Sequence, residues 1–235
     1  MSESETRAVL ETLSLTREYR LGRESVMALE DVELVIRQGE FVAIMGPSGS
    51  GKSTLLNLLG GLDQPTHGKV ILDGHNLSEY NEEQLAELRR KKMGFIFQRH
   101  DLFPVLTARE NIEFPMLLNG LPEADRRFNS QRLLALVHLE DKADALPEEL
   151  SGGQQQRIGI ARALANAASI LLADEPTGNL DSATSEDVIA SLISIQKSRR
   201  LTLIVVTHDP EVAAHADRIL QLKDGRLIAG IGSML

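Results

Sequence analysis

The sequence predicts an α/β protein with a parallel sheet, an antiparallel β region before it and a helical region inserted within it. Three observations lead to this prediction. Polar and apolar residues alternate over residues 7–40, as in half-buried antiparallel strands. Apolar runs at 41–45, 170–173 and 201–206 are typical of buried parallel strands. Between about 99 and 165 the pattern is helical and is punctuated by prolines.

The first part of the chain is predicted to form antiparallel strands, with turns at Gly22 and Gly39. The apolar run at 41–45 follows, and a glycine-rich loop then leads into an apolar helix over 54–59. A strand, a loop and a helix in this order place a helix N-terminus at the end of a buried strand. An anion-binding loop requires this arrangement.

Helical segments are predicted at 131–139 and 158–165, and a further helix at 185–196 separates the last two apolar runs. This alternation returns the chain to a parallel core. We therefore predict a single domain over 7–232 and expect residues 1–6 to be disordered. Its parts are a core with an antiparallel β subdomain, at 7–98 and 166–232, and an inserted α-helical subdomain, at 99–165.

Composition excludes several classes of protein. The formal net charge of −9 argues against a broad basic surface, so no nucleic-acid partner is expected. The richest basic run, at 89–92, is interpreted as the solvated end of a helix. The absence of cysteine excludes disulfides and thiolate chemistry. No apolar run reaches the roughly 18 residues that cross a bilayer, and the first residues do not resemble a leader peptide. Membrane association is therefore expected through a partner.

A phosphate-binding loop is predicted at residues 46–53, GPSGSGKS, which match the pattern G-x-x-x-x-G-K-[ST]. Glycines let backbone N–H groups converge on phosphate oxygens, Lys52 adds a point charge, and the Ser53 hydroxyl can ligate Mg²⁺. The alternative, a glycine turn that happens to precede a lysine, does not explain the strand before it and the helix after it. The core is thus predicted to be that of a P-loop nucleoside triphosphatase. The expected nucleotide contacts are Gly46, Pro47, Ser48, Gly49, Ser50, Gly51, Lys52, Ser53 and Thr54.

Two adjacent carboxylates follow the apolar run at 170–173. Ligands bind at the carboxyl ends of strands in open α/β folds, so Asp174 is a candidate ligand of Mg²⁺. Glu175 is the candidate that polarises the attacking water, because phosphoryl transfer depends mainly on positioning and charge stabilisation. Taken alone, Asp-Glu after a strand is also a common loop start.

A second anion-binding helix start is predicted at residues 150–157, LSGGQQQR. Ser151, Gly152, Gly153 and Gln154 would present backbone N–H groups and a hydroxyl at the start of the helix that follows. A bare Ser-Gly-Gly is equally an N-cap with a flexible entry loop. The longer string resembles the signature of the ATP-binding cassette family, and the similarity extends from residue 19 to about residue 225.

The resemblance assigns further residues. Gln98 stands where the family has its Q-loop glutamine, Asp181 closes a segment similar to the D-loop, and His208 follows a strand as the switch histidine does. Tyr19 stands about where the family places an aromatic ring that stacks on adenine. The expected catalytic residues are thus Glu175, His208 and Gln98. The expected nucleotide contacts now include Tyr19, Ser151, Gly152, Gly153, Gln154 and Asp181, and the expected metal ligands are Ser53, Gln98 and Asp174.

The resemblance also implies cofactors and partners. It implies ATP and Mg²⁺, and a homodimer that forms head to tail when ATP binds, with each ATP between one copy's phosphate loop and the other's signature. The segment at 173–181, ADEPTGNLD, together with 106–108 and 110–112, looks most like the lipoprotein-release and macrolide-efflux cassettes. A separate integral-membrane permease is therefore expected, docked near Gln98 and the helical subdomain. The chain would lie on the cytoplasmic face of the inner membrane.

Two other functions are compatible with parts of this sequence. A soluble cassette ATPase acting on DNA or ribosomes is the main alternative, but Lys52 and Ser151 stand 99 residues apart, which leaves no room for the long coiled coil of chromosome-type cassettes. Translation-type cassettes usually carry two cassettes in one chain. A small-molecule kinase with the same phosphate loop would leave the signature, Gln98 and His208 unexplained.

Overall fold

A computed structural model describes residues 7–22, 24–98 and 101–232. The disorder expected of residues 1–6 falls outside this part of the chain. The packing of Cα atoms divides the chain into two compact units. The terminal unit comprises residues up to 87 together with those from 202 onward, and the central unit comprises residues 88–201. The sequence-based division at 98/99 and 165/166 stays a prediction.

The described part of the chain forms ten strands and seven α-helices. In chain order the strands are β1 (Ala8–Leu21), β2 (Glu24–Arg37), β3 (Phe41–Met45), β4 (His67–Leu72), β5 (His75–Asn76), β6 (Met93–Ile96), β7 (Ile170–Asp174), β8 (Thr202–Thr207), β9 (Arg218–Lys223) and β10 (Arg226–Gly232). The helices are α1 (Lys52–Leu59), α2 (Glu82–Lys92), α3 (Ala108–Leu118), α4 (Glu123–Leu136), α5 (Gly152–Ala163), α6 (Ser182–Arg199) and α7 (Pro210–Ala213).

The terminal unit contains two strand systems. One is antiparallel, in the order β2-β1-β4-β5. In the other, β3 pairs in parallel with both β8 and β9, and β10 pairs antiparallel with β9. Residues 41–44 of β3 are all buried, as are the residues of β8, which is why both read as continuous apolar runs rather than as alternating patterns.

The central unit combines a parallel strand pair, β6 and β7, with helices α3, α4, α5 and α6. Its helix starts have clear local causes. Thr107 accepts the backbone N–H of Glu110, and the Glu110 side chain accepts that of Thr107, so a capping box begins α3. Asp181 caps α6 by a single-sided cap, because its side chain accepts the backbone N–H of Thr184. The buried core includes Ile112, Met116, Ile158, Ile160 and residues 170–173.

These elements confirm the predicted α/β class, with antiparallel strands before the phosphate loop and helices over most of 108–163. The helix predicted at 131–139 begins earlier, at Glu123, because Pro122 precedes its first turn. The basic run at 89–92 forms the last turn of α2, as interpreted. Strands β4, β5, β6, β9 and β10 were not predicted. No helix in the part of the chain that the structure describes is long and apolar enough to cross a membrane.

Candidate functional site

The phosphate loop lies between β3 and α1 in the terminal unit. Gly51 precedes the helix with φ of 100°, and a Cβ at this position would stand 2.3 Å from the carbonyl oxygen of Ala28. A Cβ on Gly46 would stand 2.1 Å from the carbonyl oxygen of Leu222. Both positions therefore need glycine, the first for its conformation and both for lack of space. The motif is thus a loop that packing holds in one shape.

The polar groups of this loop are suited to binding an anion. Lys52 is only 8% exposed, and its Nζ donates hydrogen bonds to the carbonyl oxygens of Gly46, at 2.8 Å, and Pro47, at 3.0 Å. Ser50 Oγ is buried without a hydrogen-bond partner among the described residues. The Ser53 side chain is exposed in the first turn of α1. A cation, a hydroxyl and the uncapped N–H groups of a helix start thus converge here, as phosphate binding requires.

His208 lies at the same strand edge as the phosphate loop. Met45, directly before Gly46, pairs with Thr207, directly before His208, in the parallel register of β3 and β8. His208 is exposed, and Asp209 after it caps α7 by accepting the N–H of Glu211 at 2.8 Å. His208 and the phosphate loop therefore follow neighbouring strands at the same end.

Tyr19 is half-buried on β1 and is held on two sides. Its hydroxyl donates to Asp63 Oδ2 at 2.7 Å, and the Arg17 guanidinium stands 4.5 Å from the centre of its ring. Arg17 also pairs with the other carboxylate oxygen of Asp63 at 2.8 Å. The ring is thus fixed in orientation. Sequence reasoning missed Arg17 and Asp63, because neither belongs to a recognisable motif.

In the central unit the two carboxylates end strand β7. Ile96 pairs with Ala173 in the parallel register of β6 and β7, so Gln98 and Asp174 both follow at the same edge. Asp174 is half-buried, with Oδ1 inaccessible to solvent. Glu175 has φ of 48°, a left-handed conformation that is unfavourable for a side chain of this size. Backbone strain of this kind clusters at active sites.

The segment after β7 is packed against Gln98. Asn179 Nδ2 donates to the Gln98 carbonyl at 2.9 Å. A Cβ on Gly178 would stand 2.9 Å from Gln98 Nε2 and 3.4 Å from the Cβ of Glu175. The missing side chain of Gly178 therefore leaves space beside Gln98 and Glu175, both of which lie next to this glycine. Sequence reasoning did not single out Gly178, although a glycine soon after a strand-end carboxylate is a usable signal.

The signature forms the N-terminus of α5. Ser151 Oγ accepts the N–H of Gln154 at 3.3 Å, and Gln154 Oε1 accepts the N–H of Ser151 at 2.9 Å, which closes a capping box. Ser151 and Gly152 are exposed, whereas Gly153 is buried against α6. A Cβ on Gly153 would stand 2.2 Å from Thr184 Cγ2. The two glycines thus have different roles, since one is presented to solvent and the other permits close helix packing.

Asp181 lies beside this helix packing. Its carboxylate accepts the Thr184 hydroxyl at 2.7 Å and the Thr184 N–H at 3.0 Å. These bonds lower the pKa of Asp181, first through the hydroxyl and then through the backbone. Another residue, Gln156, is buried and donates through Nε2 to the carbonyl of Phe97 at 3.4 Å. Hydrogen bonds and close packing therefore connect the signature, the segment at 179–181 and the residues after β6 within the central unit.

The predicted site residues thus form two sets. The terminal unit holds Tyr19, residues 46–54 and His208, and the central unit holds Gln98, Asp174, Glu175, residues 151–154 and Asp181. Among the described residues, no group of three or more His, Asp and Glu could hold a metal by itself. A phosphate loop, strand-end carboxylates and a second glycine-rich helix start define a nucleoside triphosphatase of the P-loop class.

Comparison with known proteins narrows this class. Residues 29–178, well over half of the chain, match the ABC transporter family. The macrolide export ATP-binding/permease protein MacB 1 of Yersinia pestis is 50% identical over 96% of this chain, and the MacB of Photorhabdus laumondii is 48% identical over 97%. The chain spans 35% of the length of these relatives.

The solved structures that are similar to this chain are also ABC transporter cassettes or parts of ABC transporters. A dimeric bacterial ABC transporter cassette is 43% identical, with a TM-score of 0.89, and covers 96% of this chain and 99% of its own. A second structure of that cassette is a post-hydrolysis state bound to ADP and phosphate. A cassette of an ABC transporter complex from Clostridium perfringens is 28% identical, with a TM-score of 0.86, and covers 96% and 88%.

The chain belongs to the ABC transporter family and is an ATP-binding cassette ATPase. The resemblance to the macrolide-efflux group is confirmed by the identities of 48–50%. The alternative, a cassette acting on DNA or ribosomes, is not favoured, because these relatives are transporter components.

Proposed function

We propose that two copies of this chain close head to tail around two ATP molecules and that hydrolysis reopens them, driving a membrane permease. The observation that carries the proposal is the presence of two helix starts suited to phosphate, one in each unit. In the closed dimer, the phosphate loop of one copy and the exposed Ser151 and Gly152 of the other would hold the same ATP. The dimeric state of the similar solved cassette supports this arrangement.

Each site residue then has a defined task. The loop N–H groups and Lys52 would bind the β and γ phosphates, and Tyr19 would stack on the base. Glu175 would orient and polarise the attacking water as general base. His208 would contact the γ phosphate, and Gln98 would hold the attacking water. Asp181, already charged and held by Thr184, would face the partner copy.

Mg²⁺ fits the donors that the chain offers. Ser53 contributes an exposed hydroxyl, Asp174 a carboxylate at a strand end, and Gln98 an amide oxygen. All three are hard oxygen donors, and Mg²⁺ in nucleotide sites takes its remaining ligands from phosphates and water. When bound, the ion would neutralise charge that develops on the phosphate oxygens.

The membrane partner is inferred from exposure and from the relatives. Phe97, Phe103 and Val105 flank Gln98 in the sequence and are 38%, 41% and 82% exposed. Apolar side chains exposed this far favour a protein partner. The similar macrolide export proteins combine an ATP-binding part with a permease. We infer that this chain docks a separate integral-membrane permease there, on the cytoplasmic face of the inner membrane.

A mixing experiment tests the shared site. Lys52→Ala and Ser151→Arg proteins are each expected to be nearly inactive as ATPases. Mixed, they form dimers in which one composite site keeps both an intact phosphate loop and an intact signature. Partial recovery of ATPase activity supports the proposal. Absence of recovery, when cross-linking shows that mixed dimers form, contradicts independent composite sites.

The docking surface has its own test. Val105→Asp places a charge on the most exposed apolar side chain near Gln98. This variant is expected to lose stimulation of ATP hydrolysis by the reconstituted permease. Leu118→Asp is the matched control, because Leu118 is also apolar and 60% exposed but lies at the end of α3. Equal loss in both variants would contradict docking near Gln98.

A further inference from the structure

A hydrogen-bonded cluster in the terminal unit surrounds the tyrosine assigned to the adenine. Asp63 accepts the Tyr19 hydroxyl through Oδ2 at 2.7 Å and pairs with Arg17 through Oδ1 at 2.8 Å. Arg17 and Asp63 are about one quarter exposed, so this ion pair is less screened than a surface pair. The guanidinium also covers one face of the Tyr19 ring, at 4.5 Å from its centre. The ring is thus held at its hydroxyl and on one face.

The loop that carries Asp63 is anchored to β1. The N–H of Glu18 donates to Thr66 Oγ1 at 3.0 Å, and the N–H of Thr66 donates to the carbonyl of Thr16 at 2.8 Å. This loop follows α1, whose other end begins at the phosphate loop. One short helix therefore separates the residue that binds phosphates, Lys52, from the carboxylate that holds Tyr19.

We propose that Asp63, with Arg17, is a positioning residue for the adenine platform. The inference rests on the proposed function, because it takes Tyr19 to be the residue that stacks on the base. Asp63 fixes the rotation of the tyrosine ring, and Arg17 occupies one ring face and leaves the other to the nucleotide. Val26, which pairs with Tyr19 across β1 and β2 and is 49% exposed, extends the apolar surface beside the ring.

The physical consequence is a preorganised platform. Without Asp63 the Tyr19 side chain would gain rotamers, and ordering it again on binding would cost affinity. The effect must fall on the base and not on the phosphates, since the phosphate loop stands at the opposite end of α1. The affinity for a ligand that has phosphates but no base should therefore not depend on the cluster.

The test compares two ligands of the purified chain. One is an ATP analogue with a fluorophore on the ribose, which leaves the base unmodified, and the other is inorganic tripolyphosphate, measured by displacement. Asp63→Ala and Tyr19→Phe are expected to raise the Kd of the ATP analogue by about 3- to 10-fold, as for loss of one hydrogen bond. The Kd of tripolyphosphate should stay within about twofold. Asp63→Asn, which keeps an acceptor for the hydroxyl, should recover part of the loss.

Arg17 has a matched control directly before the start of the same strand, β1. Arg7, directly before β1, also pairs with an aspartate, Asp73, at 3.4 Å, but among the described residues no aromatic ring lies under its guanidinium. Arg17→Ala should weaken binding of the ATP analogue, whereas Arg7→Ala should leave it unchanged. Equal weakening by both variants would mean that general destabilisation of the sheet, rather than ring positioning, is measured.

The outcomes separate this inference from the function on which it rests. Tyr19→Ala should weaken the ATP analogue by roughly tenfold, the order found for loss of base stacking. If it does so while Tyr19→Phe and Asp63→Ala bind normally, the positioning role is wrong and the adenine platform stands. If Tyr19→Ala binds normally, the adenine assignment itself is wrong. Equal weakening of both ligands by Asp63→Ala would place the effect on α1 and overturn the inference.

Discussion

Two helix starts in this chain are suited to phosphate, and they are prepared differently. At α1, Gly51 offers no capping side chain, so the first N–H groups of the helix are left to a ligand, and Lys52 lies beside them. At α5, Ser151 and Gln154 satisfy each other in a capping box, and no cation lies in the first turn. The first start is built to bind an anion, and the second is already stable as it stands.

This difference assigns separate tasks to the two starts. Affinity for ATP should come from α1, because no side chain caps the first N–H groups of this helix and Lys52 lies beside them. The start of α5 offers the N–H groups of its exposed end and the Ser151 hydroxyl, which is too little to bind ATP alone. Its contribution should come only when a second copy presents it to a nucleotide that is already bound. The following predictions test this division of tasks, in order of decreasing effect.

The largest effect is expected at Glu175. This residue belongs to neither helix start, and its proposed role is in ATP hydrolysis, after the dimer has closed. Glu175→Gln keeps size and hydrogen bonding and removes the charge that polarises water, so hydrolysis should fall by about 10²- to 10⁴-fold. ATP binding should survive, and the variant should accumulate as a dimer, seen by size exclusion with ATP. Asp174→Asn is the neighbouring control and should lose tight binding and the dimer. Turnover at the wild-type rate in Glu175→Gln would exclude Glu175 as the base.

The next largest effect should distinguish α1 as the affinity site. Lys52→Ala removes a charge that makes hydrogen bonds of roughly 1.5 to 3 kcal/mol each, so ATP should bind on the order of 10- to 100-fold more weakly. Titration with a fluorescent ATP analogue measures this. Thermal unfolding serves as the control, because Lys52 also holds the carbonyl groups of Gly46 and Pro47. Wild-type affinity in a folded variant would contradict the phosphate-loop assignment.

A smaller but diagnostic effect is expected at α5. Ser151→Ala removes the N-cap and should lower the free energy of unfolding by about 1 kcal/mol. ATP affinity of the single chain should stay within about twofold in both Ser151→Ala and Ser151→Arg, since the helix start acts on the partner's nucleotide. Ser151→Arg alone should also block ATP-dependent dimer formation, because its bulk meets the γ phosphate. Weakened binding in the monomer would show that the signature acts within its own chain.

The smallest effect concerns a third helix start, that of α6, whose cap is charged. The Thr184 hydrogen bonds hold the pKa of Asp181 below its ordinary value, so the capping carboxylate stabilises the fold at neutral pH. This stability is lost as the pH falls below the ordinary aspartate range and through the lowered pKa of the folded chain. Urea unfolding at a series of acid pH values should show a flatter decline in Asp181→Ser, whose cap does not titrate. An unchanged decline would mean that other carboxylates dominate.

Much of the site could be predicted because its motifs are local. Each of the segments 46–54 and 150–157 is a continuous stretch of sequence. In each, a loop leads directly into a helix, so the groups that it offers to a phosphate can be recognised from the local sequence. Parallel strands were equally visible where burial on both faces makes them uniformly apolar, as in β3 and β8. Strands β4, β9 and β10 escaped because their residues are partly exposed and mixed in character, so their pairing depends on neighbours rather than on pattern.

By itself the sequence determined the chemistry of each segment: a lysine after a glycine turn, two carboxylates at the end of an apolar run, and a serine before two glycines. Only the tertiary structure decided which segments meet. Asp63 reaches Tyr19 across 44 residues, Gln156 reaches the carbonyl of Phe97 across 59, and the register of β3 and β8 brings Gly46 and His208 to one edge. Such contacts depend on the packing of many side chains at once, and no local pattern encodes them.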